Sequence, residues 1–232
     1  MHKEYIKASH KRINEQLTNF YTPTGIHVYF KDHLYNDKID VEKAVSKLES
    51  LIPTQLLSEI EMIIIGHFDE FERDITAFYK DGTLHISNIQ DNEDSLLDNM
   101  VHETAHAVEV AYGYEIYSDL KIKKEFLVKR EHLHNLLWKL GYKAPKKLFL
   151  QTEYDYEFDQ FLLKDVGYGK LSQVVNGLFI SPYSPTSLRE YFATGFAEFY
   201  LHPNEHTFLK QIGPALYAKL ERINNVESLD NS

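Results

Sequence analysis

Apolar and polar positions alternate over Gly25-Ile26-His27-Val28-Tyr29-Phe30, the pattern of a half-buried strand, and the period becomes helical over residues 40–51. Glu61-Met62-Ile63-Ile64-Ile65-Gly66 is an apolar run of strand length. Two more strands are expected at Ile75 to Tyr79 and Leu84 to Asn88, joined by an Asp81-Gly82 turn. Beyond them the pattern is helical. Asp91, Asn92 and Asp94 offer N-cap side chains, Leu97, Val101, Ala105 and Val108 recur at spacings of four and three, and Gly113 marks the expected stop. Ser118 to Leu140 reads as a second helix with Leu120, Phe126, Leu127, Leu133, Leu136 and Leu137 on its apolar side, closed by Gly141 and Pro145. Gly167-Tyr168-Gly169 marks a bend, and Val174 to Ile180 carries the Asn176-Gly177 signature of a hairpin that would form a wall or lid. Leu188, Tyr191, Phe192, Phe196, Phe199 and Tyr200 form one more helical apolar face.

The order predicts an α+β fold: a small mixed sheet whose last hairpin strand presents a free edge, then a long helix and a C-terminal helical part. It predicts one domain over residues 1–232, with an N-terminal helix and sheet (1–92), a central helix (93–113) and a helical remainder (114–232). Residues 1–20 mix charged and apolar positions as an amphipathic helix does, not as a signal sequence does. A chain of 232 residues with 43% hydrophobic positions can bury a core, and no apolar run reaches membrane-spanning length. The formal charge of −10 argues against nucleic acid as a partner, since phosphate is repelled on average. The absence of cysteine removes disulfides, thiol nucleophiles and thiolate metal sites, and leaves redox compartment undetermined.

The central helix carries the chemistry. His102-Glu103-Thr104-Ala105-His106 is an HExxH, and on a helix two histidines four apart share a face, so both imidazoles can reach one Zn2+ while Glu103 is left to act as a base. Catalytic zinc needs a third protein ligand and an open fourth position. The metzincin extension would need Gly at position 109 and His at position 112, where the chain has Glu109 and Tyr112, so a glutamate is expected instead. Glu125 has the spacing of zinc aminopeptidases, but its neighbours read as an exposed helix with ordinary charge pairing. Glu190 is the stronger candidate, because its helix has an apolar face able to pack and aim a carboxylate; the plainer reading is a solvated acid at a helix start.

Residues 190–203, Glu-Tyr-Phe-Ala-Thr-Gly-Phe-Ala-Glu-Phe-Tyr-Leu-His-Pro, resemble the EFFAExF-type segment of the anthrax lethal factor and Pro-Pro endopeptidase family of zinc peptidases. Tyr79 to Ser87 resembles the hairpin before that family's metal helix, and His106-Ala107-Val108-Glu109 resembles its continuation, so the likeness runs in patches from about residue 25 to 205. It implies a zincin-like (gluzincin) fold, Glu190 as third ligand, and Tyr183, seven residues earlier, as the hydroxyl facing the scissile carbonyl. It also implies a secreted bacterial protease whose signal segment is absent from this chain, acting on a protein or peptide substrate extended along an edge strand. The chain departs from the family at Thr194, where a second glutamate is common, and in a longer stretch between His106 and Glu190 that suggests an insertion within 118–180.

The expected activity is zinc-dependent endopeptidase hydrolysis, with His102, His106 and Glu190 on the metal, Glu103 as general base and Tyr183 as oxyanion donor. A non-catalytic binding module on the same scaffold and a zinc aminopeptidase using Glu125 are the alternatives. His132-Leu133-His134 and His202 with His206 read as surface histidines. Glu153 to Asp159, acidic and aromatic, reads as a solvated face, with a recognition surface for basic peptides as its alternative.

Overall fold

The computed structural model describes residues 19–70 and 76–225. The amphipathic segment expected over residues 1–20 lies almost wholly outside these, as does Ile75. The chain's contacts divide it into two compact units, 1–107 and 108–232, with the division falling inside one long helix.

The first unit is built on five strands, β1 (Asn19–Tyr21), β2 (His27–Phe30), β3 (Met62–Gly66), β4 (Ala77–Lys80) and β5 (Thr83–Ser87). They pair in the order β1-β2-β3-β5-β4. The β2/β3 and β3/β5 pairs are parallel, and β1/β2 and β4/β5 are antiparallel. The mixed sheet is therefore as expected, but its edge is not. β5, the last hairpin strand, lies between β3 and β4, and the edge strands among the described residues are β1 and β4. The pairing of β3 with β5 is non-local and buries Ile63, Ile65, Leu84 and Ile86 completely, so β5 is the more deeply buried strand of the hairpin. The hairpin turns at Asp81 (φ 47°) and Gly82 (φ 78°), the paired positive φ values of a type I′ turn. Helix α1 (Val41–Leu51) buries Val41, Ala44, Val45 and Leu48 on one face, and the Asp40 carboxylate accepts the Lys43 N–H at 3.0 Å as its N-cap.

The long helix α2 (Glu93–Tyr117) starts at Asn92, whose side-chain oxygen accepts the Ser95 N–H at 2.9 Å, and Glu93 and Asp94 complement the dipole of its first turn. It does not stop at Gly113. The backbone kinks at Tyr112 (φ −117°, ψ 19°) and continues, because burial of Ile116 and the contact of Tyr117 with Glu109 outweigh the helix-weakening glycine.

The regular elements of the second unit's described residues are helical: α3 (Lys121–Lys139), a 3-10 turn (Lys146–Leu150), α4 (Tyr156–Gln160) running into a π-helical stretch (Phe161–Val166), α5 (Tyr168–Val175), α6 (Leu188–Leu201), α7 (His206–Ile212) and α8 (Pro214–Asn224). The expected hairpin at 174–180 is absent. Asn176 (φ −55°, ψ 126°) and Gly177 (φ 74°) instead form a type II turn after α5, with the Leu178 N–H on the Val175 carbonyl at 2.8 Å. Asn-Gly suits either turn, and the helical packing of Leu171 and Val175 selects this one.

Helix α3 buries Phe126, Leu133 and Leu137 of the expected apolar side and Ile122 with them, leaves Leu127 and Leu136 half-buried and Leu120 exposed before its first turn, and also buries Lys129 and Arg130, which the period gives no reason to bury. The Arg130 guanidinium donates to the carbonyls of Pro185 (2.6 Å), Thr186 (3.4 Å) and Leu148 and lies 3.8 Å from the centroid of the Phe158 ring. Lys129 donates to the carbonyls of Leu178 (2.7 Å) and Ile212. Two adjacent cations thus hold both ends of the irregular segment 178–187. Among the described residues no helix is long and apolar enough to cross a membrane.

Two stability outcomes follow. Arg130→Met leaves buried carbonyls unpaired and should lower the free energy of unfolding in urea by about 3 kcal/mol. Gly195→Ala in α6 should destabilise by about 1–3 kcal/mol despite alanine's better helix propensity, because the added methyl would overlap the Leu216 side chain.

Candidate metal centre and its surroundings

Helix α2 aligns the HExxH as its spacing requires. The His102 and His106 rings stand 5.3 Å apart between centroids at an interplanar angle of 79°. Glu103 and His106 are buried, at 7% and 9% exposure, and His102 is half-buried, while the completely buried Thr104 donates its hydroxyl to the Met100 carbonyl at 2.7 Å. An acid and an imidazole placed this deep are costly without partners, and none of these residues is without one.

Glu190 enters from the first turn of α6. Ser187 caps that helix by accepting the Glu190 N–H on its hydroxyl at 3.1 Å, the Ser-x-x-Glu spacing of a capping box. Glu190 is half-buried, so it is not merely a solvated acid at a helix start. Ligand atoms of His102, His106 and Glu190 lie within 4.8 Å of one another, and among the described residues these three form the group able to share one metal ion.

Tyr183 sits in the tight loop just upstream. Its carbonyl accepts the Thr186 N–H and hydroxyl, each at 2.9 Å, and Ser181 and Ser184 bond to each other across the loop at 3.0 Å. Burial, then the negative charges of Glu190 and Asp159, push the Tyr183 phenol well above the ordinary tyrosine range. It is therefore a proton-bearing donor at neutral pH. Thr194, where the family commonly has a glutamate, donates to the Glu190 carbonyl at 2.8 Å and shares a 2.7 Å hydrogen bond with Ser184, linking α6 to the Tyr183 loop.

Glu125, the rival ligand, is committed elsewhere. Its carboxylate accepts the Tyr191 hydroxyl at 2.8 Å and the N–H groups of Ala215 (2.7 Å) and Leu216 (3.2 Å), so it caps α8, where a negative charge meets the positive end of the helix dipole. Its surroundings are correspondingly less exposed than its lysine neighbours suggest.

Two other histidines depart from the surface reading. His134 packs against Phe149 and Trp138, with both ring nitrogens buried, and His206 stacks on Phe199 and bonds its carbonyl at 2.9 Å. The acidic run 153–159 is not a uniformly solvated face either: Asp155 caps α4 through the Phe158 N–H, and Asp159 is buried and accepts the Tyr154 hydroxyl at 2.9 Å.

The pair Glu109 and Arg189 was not legible as a unit. Arg189 Nε donates to Glu109 Oε2 at 3.1 Å, and Tyr117 donates to the other oxygen. The acid after HExxH is a signal that a partner should be sought, but nothing in sequence spacing joins residues 80 positions apart. Comparison with protein-family models, curated proteins and solved structures gives no match.

The competing ligand assignments separate cleanly by metal analysis. Glu190→Ala should lose the bound metal, whereas Glu125→Ala should keep it while losing about 1–2 kcal/mol of stability through its α8 cap and the unpaired Tyr191 hydroxyl.

Proposed function

We propose that the chain is a zinc-dependent endopeptidase of the lethal factor and Pro-Pro endopeptidase kind. The observation that carries this reading is the convergence of His102, His106 and Glu190, with Glu103 on the turn between the two histidines. Two imidazoles and a carboxylate are a donor set suited to catalytic zinc, because three protein ligands leave a coordination place open. Zinc bound there would bring the pKa of a water to about 7 and polarise a carbonyl.

The chain's own residues supply the remaining steps. Glu103 takes a proton from the attacking water and delivers it to the leaving amine, a role suited to a buried carboxylate one residue from a metal ligand. Tyr183 keeps its proton and donates a hydrogen bond to the oxygen that gains negative charge as the carbonyl is attacked. The hydrogen-bonded loop around it keeps that donor in place before substrate arrives, so little reorganisation accompanies the reaction.

A substrate peptide would be extended and would add as a strand along β4, the edge of the sheet formed by the hairpin before the metal helix. The resemblance of residues 190–203 to the family supports a protein substrate, with proline near the cleaved bond, and a secreted site of action.

Purified protein should contain one zinc per chain. Glu103→Gln should retain that zinc and lose about 10²–10⁴-fold in peptide cleavage. Tyr183→Phe should lower kcat about 10²-fold with KM nearly unchanged. Protein that takes up no zinc would refute the reading and favour a non-catalytic binding module.

A further inference from the structure

Glu109 belongs to neither the metal set nor the proton-transfer pair, yet its carboxylate is buried and doubly engaged. We infer that Glu109, with Tyr117, is a positioning residue for the third ligand: it holds Arg189 so that Glu190, the next residue, presents its carboxylate to the ion. The inference rests on the metal reading of His102, His106 and Glu190, and adds to it residues outside that set.

On α2 the positions 102, 106 and 109 recur at spacings of four and three, so they follow one face of the helix before its kink at Tyr112. Glu109 therefore continues the histidine face by one turn, and Tyr117, beyond the kink, donates its hydroxyl to the Glu109 Oε1. The Glu109 side chain is 6% exposed and that of Arg189 55%, so the carboxylate is the fixed, buried end of the pair. A carboxylate this deep is costly unless its lone pairs are met, and here a guanidinium takes one oxygen and a phenol the other. Burial, reinforced by the Glu109 charge, raises the Tyr117 pKa well above its ordinary value, so the phenol remains a donor.

The Glu190 main chain is held by the Ser187 hydroxyl at its N–H and the Thr194 hydroxyl at its carbonyl. They complete the first turn of α6 without linking it to the histidine-bearing helix. The Glu109–Arg189 pair supplies that link one residue before the ligand. An exposed ion pair would contribute little, but this one has a buried anchor, and its Nε–Oε2 contact of 3.1 Å is a charge-assisted hydrogen bond.

The test uses the intact protein and three variants, Glu109→Gln, Arg189→Met and Arg189→Lys. Zinc affinity is read by competition with a chromophoric chelator, ligand geometry by the d–d absorption of the Co2+-substituted protein, and folding by the melting midpoint in EDTA. Glu109→Gln and Arg189→Met should bind zinc about 10–100-fold more weakly and alter the Co2+ spectrum, with Arg189→Lys between them and wild type. The metal-free melting midpoint of Arg189→Met should fall by several degrees as the buried Glu109 loses a partner, so affinities are compared at a temperature where each metal-free variant is folded. If Glu109→Gln fails to fold, Arg189→Met alone decides. Wild-type zinc affinity and an unchanged Co2+ spectrum in Arg189→Met would overturn the positioning role while leaving the metal site intact. Failure of the wild-type protein to bind zinc or Co2+ would instead overturn the metal reading, and this inference with it.

Discussion

The Arg130 guanidinium, with no exposure to solvent, bonds to backbone carbonyls at 148, 185 and 186 and faces the Phe158 ring. Burial brings its pKa down to about 9, still far enough above neutrality for the charge to persist. A cation held in this way is expensive to desolvate, and it persists because the carbonyls of an irregular segment would otherwise be buried without donors. Segment 178–187 has little regular structure to satisfy its own backbone, so Arg130 and Lys129 do that work from α3. The loop that bears Tyr183 and leads into Glu190 inherits its order from this arrangement.

The same logic distinguishes what could be read from residue order and what could not. Asp40 before α1, Asn92 before α2 and Asp81-Gly82 between β4 and β5 act on backbone within a few residues of themselves, so their signals are local and legible. HExxH is local too, because helical geometry alone aligns its side chains. The place of β5 inside the sheet depends on pairing with β3 across some twenty residues of chain, and the hydrophobic pattern states only that both strands are apolar. Gly113 and Asn176-Gly177 carry genuine local signals that tertiary packing redirects, one into a kink and the other into a type II turn.

Charged residues were the hardest to read, since an acid or a base on a helix has the same appearance whether it meets water or a buried partner. Glu125 looks like one member of a lysine-rich surface, and it caps a helix 90 residues downstream. Arg130 looks like one member of a charged helix, and it is completely buried. Glu190 and Glu109 are the converse cases, in which the type of residue at its spacing was informative and the partner was not. In each case the missing information is which distant backbone or side chain lacks a counterpart.

The short length of β4 bears on how tightly anything could be gripped there. Four residues span about 13 Å, and in an antiparallel or parallel addition only alternate residues turn their N–H and C=O groups outward. An added peptide would thus gain a few main-chain hydrogen bonds, each contributing about 1 kcal/mol after exchange with water. Main-chain pairing on that scale aligns a peptide without retaining it. Discrimination among peptides would fall to side chains beyond the edge, and rapid release of the cut fragments would come with the same weakness.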